Sequence, residues 1–130
     1  MQDTIRASVN GEREVVMMYK LVGHWSSPKP EEKEKFEAHY VAVHLPLASA
    51  VPRLRKIVTT VTADGFAGAE PPFYRVAEMC FDSPEEMAAS SESDAWHEMH
   101  TDAVYMCERF GVSLSAASGW ETVDSRKAPQ

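Results

Sequence analysis

Positive charge is scarce in this chain: 13 Lys and Arg stand against 20 Asp and Glu, a formal net charge of −7. Such a balance repels phosphate backbones and anionic membranes, and no basic stripe interrupts it, so no nucleic-acid partner is expected. Cysteine is nearly absent. Cys80 and Cys107 lie far apart and outside any Cys-x-x-Cys spacing, which makes no disulfide framework. Both sit in apolar settings and are expected to be inert packing residues. No apolar run reaches bilayer length and no basic-then-apolar leader precedes the first strand, so no membrane association is expected and a reduced, cytoplasmic protein is. A dinucleotide glycine loop, a phosphate loop and a nucleophile elbow are missing as well, and no cofactor is expected.

What remains is a chain of 130 residues, 44% hydrophobic and 25% charged, the mix and length of one folded domain with a real core. Residues 1–13 are polar, carry the turn signal Asn10-Gly11, and read as a flexible arm. The run from Val15 to Val22, extended by Trp25, is apolar on both faces and predicts a strand buried on two sides. Pro30 to about Leu47 is helical by period, with Glu31, Glu32 and Glu34 near its start, where the helix dipole favours acids. Taking Phe36 as zero at ~100° per residue, Tyr40, Val43 and Leu47 fall within about 40° of it, while His39 and His44 border that stripe.

Leu54 to Ala63 is β-branched and strand-like. A loop follows to Pro72, then a third strand over Phe73 to Phe81. Ser83-Pro84-Glu85-Glu86 is a capping box that opens a short helix, fraying at Ser90-Ser91. A second helix runs from about Asp94 to Phe110, with Trp96, Met99, Ala103, Cys107 and Phe110 on its apolar face, and Gly111 ends it. A fourth strand spans Val112 to Glu121, and the polar tail 122–130 reads as disordered. The runs Glu31 to Lys35 and Glu85-Glu86 are solvated helix faces. The order of elements in the domain, residues 14–121, is βαββαβ. This is an α+β, ferredoxin-like pattern with an antiparallel four-stranded sheet. Strands apolar on both faces leave the sheet's far side in need of a cover, which a homodimer packed sheet to sheet would supply.

Phe36-x-x-His39-Tyr40-x-x-Val43-His44-x-Pro46-Leu47, followed by Val51-Pro52-x-Leu54, resembles the helix signature of EthD-like proteins. Glu70-Pro71-Pro72-Phe73-Tyr74-x-Val76-Ala77-Glu78 and Phe81-Asp82-Ser83 are similar to that family's third strand and helix entry. The likeness runs from about Val15 to Glu121. It implies a dimeric α+β barrel with a ligand pocket between sheet and helices. It also implies roles that range from accessory proteins of degradation operons to cofactor-free isomerases of muconolactones and dehydratases of polyketides. In the enzymatic members a histidine matching His44 implies an acid/base there. Three features depart from the pattern: Gly23-His24-Trp25, Pro52-Arg53-Leu54 in place of Pro-Gly-Leu, and the pair His97-x-x-His100.

His44 is the leading catalytic candidate, since imidazole moves its proton near neutral pH; the alternative is a helix-end cap favoured by the dipole. His100 sits on an apolar face and is either a core residue or an acid facing His44 across one cavity. His39 is a weaker third. Asp102 is placed to orient a histidine from the first helix, or else is a solvated carboxylate. Tyr40 is packing, or a pocket residue that polarises a carbonyl. Tyr19, His24, Trp25, Tyr74 and Trp96 are core residues or, together, the lining for an aromatic ligand. No metal site is expected: His97 lies at the edge of its stripe, with no His-Glu-x-x-His and no cysteine pair nearby. The expected function is a cofactor-free lyase, dehydratase or isomerase acting on a small aromatic, lactone or polyketide-like substrate. The alternative is a non-catalytic protein that binds a hydrophobic small molecule.

Overall fold

The computed structural model describes residues 5–9, 13–124 and 126, with side chains from Met17 onward. Two strands, β1 (Ile5–Val9) and β2 (Arg13–Met17), pair antiparallel with Ile5 opposite Met17. The segment expected to be an arm therefore contains a strand, while residues 1–4 and 10–12, including the Asn10-Gly11 turn signal, lie outside the described residues. The strand expected to run unbroken from Val15 to Trp25 divides at Met18: β2 ends there and β3 (Tyr19–Trp25) belongs to a different sheet. Glu121 holds the division from both sides. Its Oε2 accepts from the Met18 N–H at 3.2 Å, and its own N–H donates to the Met18 carbonyl at 3.0 Å.

The main sheet has four antiparallel strands in the order β4-β5-β3-β6, with β4 at Lys56–Val61, β5 at Arg75–Phe81 and β6 at Leu114–Trp120. This is the ferredoxin-like α+β arrangement read from the sequence. The register puts Gly23 opposite both Ala77 and Ala116, and Trp25 opposite Arg75 and Leu114. Side chains alternate across a sheet. Leu21, Gly23 and Trp25 therefore share one face with Ala77, Met79 and Phe81, and the helices lie on that face. On the other face Lys20, Val22, His24, Val58, Val76, Glu78 and Ala117 are half-buried or exposed, and Cys80 is buried. Burial pushes the Cys80 and Cys107 thiols upward, which keeps both protonated at neutral pH.

The first helical stretch is not the uniform helix its period suggested. A 3₁₀ turn (Pro30–Glu32) leads into α1 (Lys33–His39), a π-helical segment (Tyr40–His44) and α2 (Leu45–Ser49). The Leu45 N–H reaches back five residues to the Tyr40 carbonyl. A wider turn rotates less per residue, so positions four apart stay on one line instead of drifting. Phe36, Tyr40, His44 and Ala48 are accordingly all buried. Val43, expected on the stripe, is 40% exposed, and His44, expected at its border, is 7% exposed.

α3 (Pro84–Ser90) and α4 (Asp94–Phe110) follow the expected bounds because their caps are local. Ser83 Oγ accepts from the Glu86 N–H and Ser93 Oγ from the Trp96 N–H, each at 3.1 Å. Gly111 ends α4 in the left-handed region, at φ +66°. Two apolar clusters fill the space between sheet and helices. One gathers Trp25, Phe36, Tyr40, Met106 and Phe110; the other gathers Ala48, Val51, Met79, Phe81 and Met99. Truncating a fully buried ring such as Phe36 to alanine would cost about 3–5 kcal/mol. None of the described helices is long and apolar enough to cross a membrane.

Candidate functional site

Between the two apolar clusters lies a cavity of about 160 Å³. Its floor and sides come from the sheet: Leu21, Gly23 and Trp25 of β3, Ala77 and Met79 of β5, Leu114 and Ala116 of β6. Its roof comes from one face of α4, where Trp96, Met99, His100 and Ala103 recur at helical spacing. His44, from the π-helical segment, closes the remaining side. Nothing in the lining carries a full charge of fixed sign. Apart from the indole N–H groups of Trp25 and Trp96, the two imidazoles are its only polar side-chain groups.

His44 is held by what surrounds it. Its ring meets Trp25 edge to face at 5.3 Å, and its Nδ1 is 2.9 Å from Asp102 Oδ2. A carboxylate only accepts hydrogen bonds, so Nδ1 carries the proton and donates, and Nε2 keeps its lone pair. Nε2 has no partner among the described residues, although the side chain as a whole is buried. Burial lowers the His44 pKa from its ordinary value of 6.5, while the hydrogen bond and the charge of Asp102 oppose that shift. The group is therefore neutral at pH 7, and its side chain lines the cavity with one nitrogen unpartnered among the described residues.

Asp102 also takes a second histidine. His39 Nε2 lies 2.9 and 3.1 Å from its two oxygens and donates to them by the same reasoning. One carboxylate on α4 thus bridges two imidazoles from the neighbouring helix, the orienting part foreseen for it. His39 itself does not line the cavity; its ring lies against Tyr105 at 5.3 Å. The other sequence candidates divide. His44, His100, Trp25 and Trp96 meet around one cavity. Tyr40 lies behind it, buried against Trp25 and under the guanidinium of Arg75 at 4.3 Å. Tyr19, His24 and Tyr74, expected in the lining, are elsewhere. His24 points to the opposite face of the sheet, because it is one residue out of phase with Gly23 and Trp25, and stacks on Phe73 at 4.3 Å. Tyr19 sits at the far end of β3, bonded to Ser118 Oγ at 2.9 Å. The Tyr74 hydroxyl donates to Glu37 at 2.9 Å, and burial and that carboxylate push its pKa up to about 12.

A second polar cluster escaped the sequence reading. Arg75, 7% exposed, binds Glu37 with both prongs: Nε to Oε2 at 2.9 Å and Nη2 to Oε1 at 2.6 Å. The guanidinium holds the Glu37 carboxyl below the usual range. Arg75 falls in strand register with Ala77 and Met79, so its alternation phase marked it as inward-facing. Among the described residues, no group of three or more His, Cys, Asp or Glu is arranged to hold a metal ion.

Residues 29–106 match the family model described as the EthD domain. An EthD family protein from Bacillus halodurans has a similar structure, with a TM-score of 0.70 and 26% identity over 81% of this chain and 99% of that one. Two dimeric ferredoxin-like proteins of unknown function share the fold. The one from Jannaschia sp. has a TM-score of 0.51 and 17% identity over 78% of this chain and 97% of that one. The one from Thermobifida fusca has a TM-score of 0.50 and 12% identity over 82% and 92%. No curated protein matches the chain.

Proposed function

The chain belongs to the EthD domain family, and on that premise we propose that it is an acid–base enzyme of the lyase or isomerase type, acting on a small aromatic, lactone or polyketide-like substrate. One observation carries the reading: a buried imidazole that lines an apolar cavity, its Nδ1 committed to a carboxylate and its Nε2 without a partner among the described residues. In such a site Nε2 takes a proton from a carbon beside a carbonyl, or from a hydroxyl. The Asp102 carboxylate then stabilises the imidazolium that forms. His100, across the same cavity, can return a proton at a second position, which is what elimination or isomerisation requires. His39 acts as a positioning residue, fixing the carboxylate that fixes His44.

Replacing His44 with alanine tests the reading. On a panel of small lactones and phenolic ketones, turnover should fall by about 10²–10⁴-fold, the usual worth of a general base, with the melting temperature preserved. Equal rates in both proteins would reject it. Compounds that bind the wild type and are recovered unaltered would instead support a binding or accessory role.

We further infer a homodimer that covers the sheet's outer face, where Val22, Val58 and Val76 stand among half-buried and exposed neighbours. The dimeric fold relatives support it. Light scattering should give twice the chain mass, and a stable monomer would exclude it.

A further inference from the structure

Three small residues in register across adjacent strands, Ala77, Gly23 and Ala116, line the floor of the cavity. The rows on either side of them are bulkier, save at Ser118 on β6. Leu21 pairs with Met79 on one side, and Trp25 pairs with Leu114 on the other. The hollow therefore exists because one rung of the ladder carries almost no side chain while its neighbours do. The rung spans three strands but only one residue along each, so the void is broad across the sheet and narrow along it, with backbone for a base. The roof opposite holds Trp96 and Met99. A ring face and a thioether contact π-surfaces better than they contact puckered aliphatic ones. His44 lines this slot; it is 7% exposed, its Nδ1 is committed to Asp102, and its Nε2 has no partner among the described residues.

We propose that the row Ala77–Gly23–Ala116 determines specificity: it admits a neutral, flat, unsaturated ring lying parallel to the sheet, with a hydroxyl or acidic C–H turned to His44, and rejects saturated counterparts of the same skeleton. The absence of a fixed charge in the lining selects against carboxylates and phosphates, whose desolvation nothing there would offset. This inference rests on the ligand cavity of the proposed function and names the shape and charge of what fills it.

The row can be altered without breaking the sheet. A Cβ on Gly23 would meet Leu114 Cδ1 at 3.3 Å, a contact that Leu114, 37% exposed on the edge strand, can relieve by shifting. Ala116 is exposed on that same strand, and a larger side chain there enters the cavity from its rim.

Isothermal titration calorimetry with 2-naphthol and with decahydro-2-naphthol compares a flat ring with its saturated counterpart, each carrying one hydroxyl on the same carbon skeleton, and the floor variants report on the ring because they leave the hydroxyl's partner untouched. The wild type should bind 2-naphthol at least about ten-fold more tightly, a gap of roughly 1.4 kcal/mol or more. Ala116→Leu should weaken 2-naphthol by about ten-fold or more, Gly23→Ala by a smaller factor, and Ala88→Leu on the exposed side of α3 not at all, with all melting temperatures close to wild type. Equal binding of the two probes, no binding of either, or 2-naphthol affinity unchanged in both floor variants would overturn the proposal. The acid–base reading fails separately: flat-ring selectivity with His44→Ala turning over as fast as wild type would leave the floor standing and remove the base.

Discussion

Two buried polar clusters lie under the same helices, and they differ in one respect. Around Arg75 the charges are matched: the guanidinium clasps Glu37 with two prongs, Tyr74 adds a third bond to that carboxylate, and the Tyr40 ring covers the flat face. Around Asp102 the cluster stays open, since His44 lines a hollow and uses only one of its two nitrogens among the described residues. A saturated cluster has nothing to offer a ligand and serves to tie α1 to the sheet. An unsaturated one holds a lone pair in place at the cost of burying it. Trp25 stands between them, packed in the aromatic cluster on one side and walling the cavity on the other.

The sharpest way to break this contrast is Arg75→Met. It strands the Glu37 carboxylate, and because that carboxylate is 31% exposed the loss should be about 2–3 kcal/mol, below the range for fully buried pairs. Urea denaturation would show it as a lower midpoint, while ligand affinity in the folded protein changes little. A comparable loss of affinity would mean that the two clusters are one functional unit.

Asp102→Asn is expected next. An amide can still accept from Nδ1 but no longer stabilises an imidazolium, so turnover should fall about ten- to a hundred-fold, part of the worth of the base itself. The carboxylate raises the His44 pKa against burial, so its removal should move the acid limb of the pH–rate profile to lower pH. An unmoved limb would show that Asp102 merely packs.

The smallest expected effect is on stability. The folded His44 binds its proton less readily than the unfolded one, whose value is 6.5, so the unfolded chain takes up protons first as pH falls. His44 therefore costs nothing above the unfolded pKa and destabilises progressively below it, until the lower folded pKa is reached. Melting temperatures between pH 7.5 and 5.5 should drop less in His44→Asn than in wild type. An equal drop would assign acid sensitivity to other groups.

Much of this was legible because it is local. Ser83 and Ser93 cap the helices that follow them, Gly111 stops the last one, and the β-branched run at Ile57 to Val61 forms its strand. Helical spacing put Trp96 and His100 together on one face of α4. Strand alternation, read through, excludes His24 from the cavity and turns Arg75 to the helix-covered face, where it binds Glu37 outside the cavity. Arg53, in place of the Gly of the resembling Pro-Gly-Leu motif, adopts φ +68°, the left-handed region that glycine enters without strain; it pairs with Glu86 at 2.8 Å. What periodicity misplaced was the line of the first helix, because an ideal 100° step does not know of a π turn.

Composition, capping and the two periods determined by themselves the order of elements from Tyr19 to Trp120, the antiparallel ferredoxin-like sheet and the identity of the histidines that could react, since each is signalled by neighbours within a few residues. Only the tertiary structure decided that His44 is buried, that Asp102 joins it to His39 across 58 and 63 residues of chain, and that a rung of small residues leaves a hollow beneath them. Those outcomes depend on which side chains meet from separate strands and helices, and no window of sequence contains both partners.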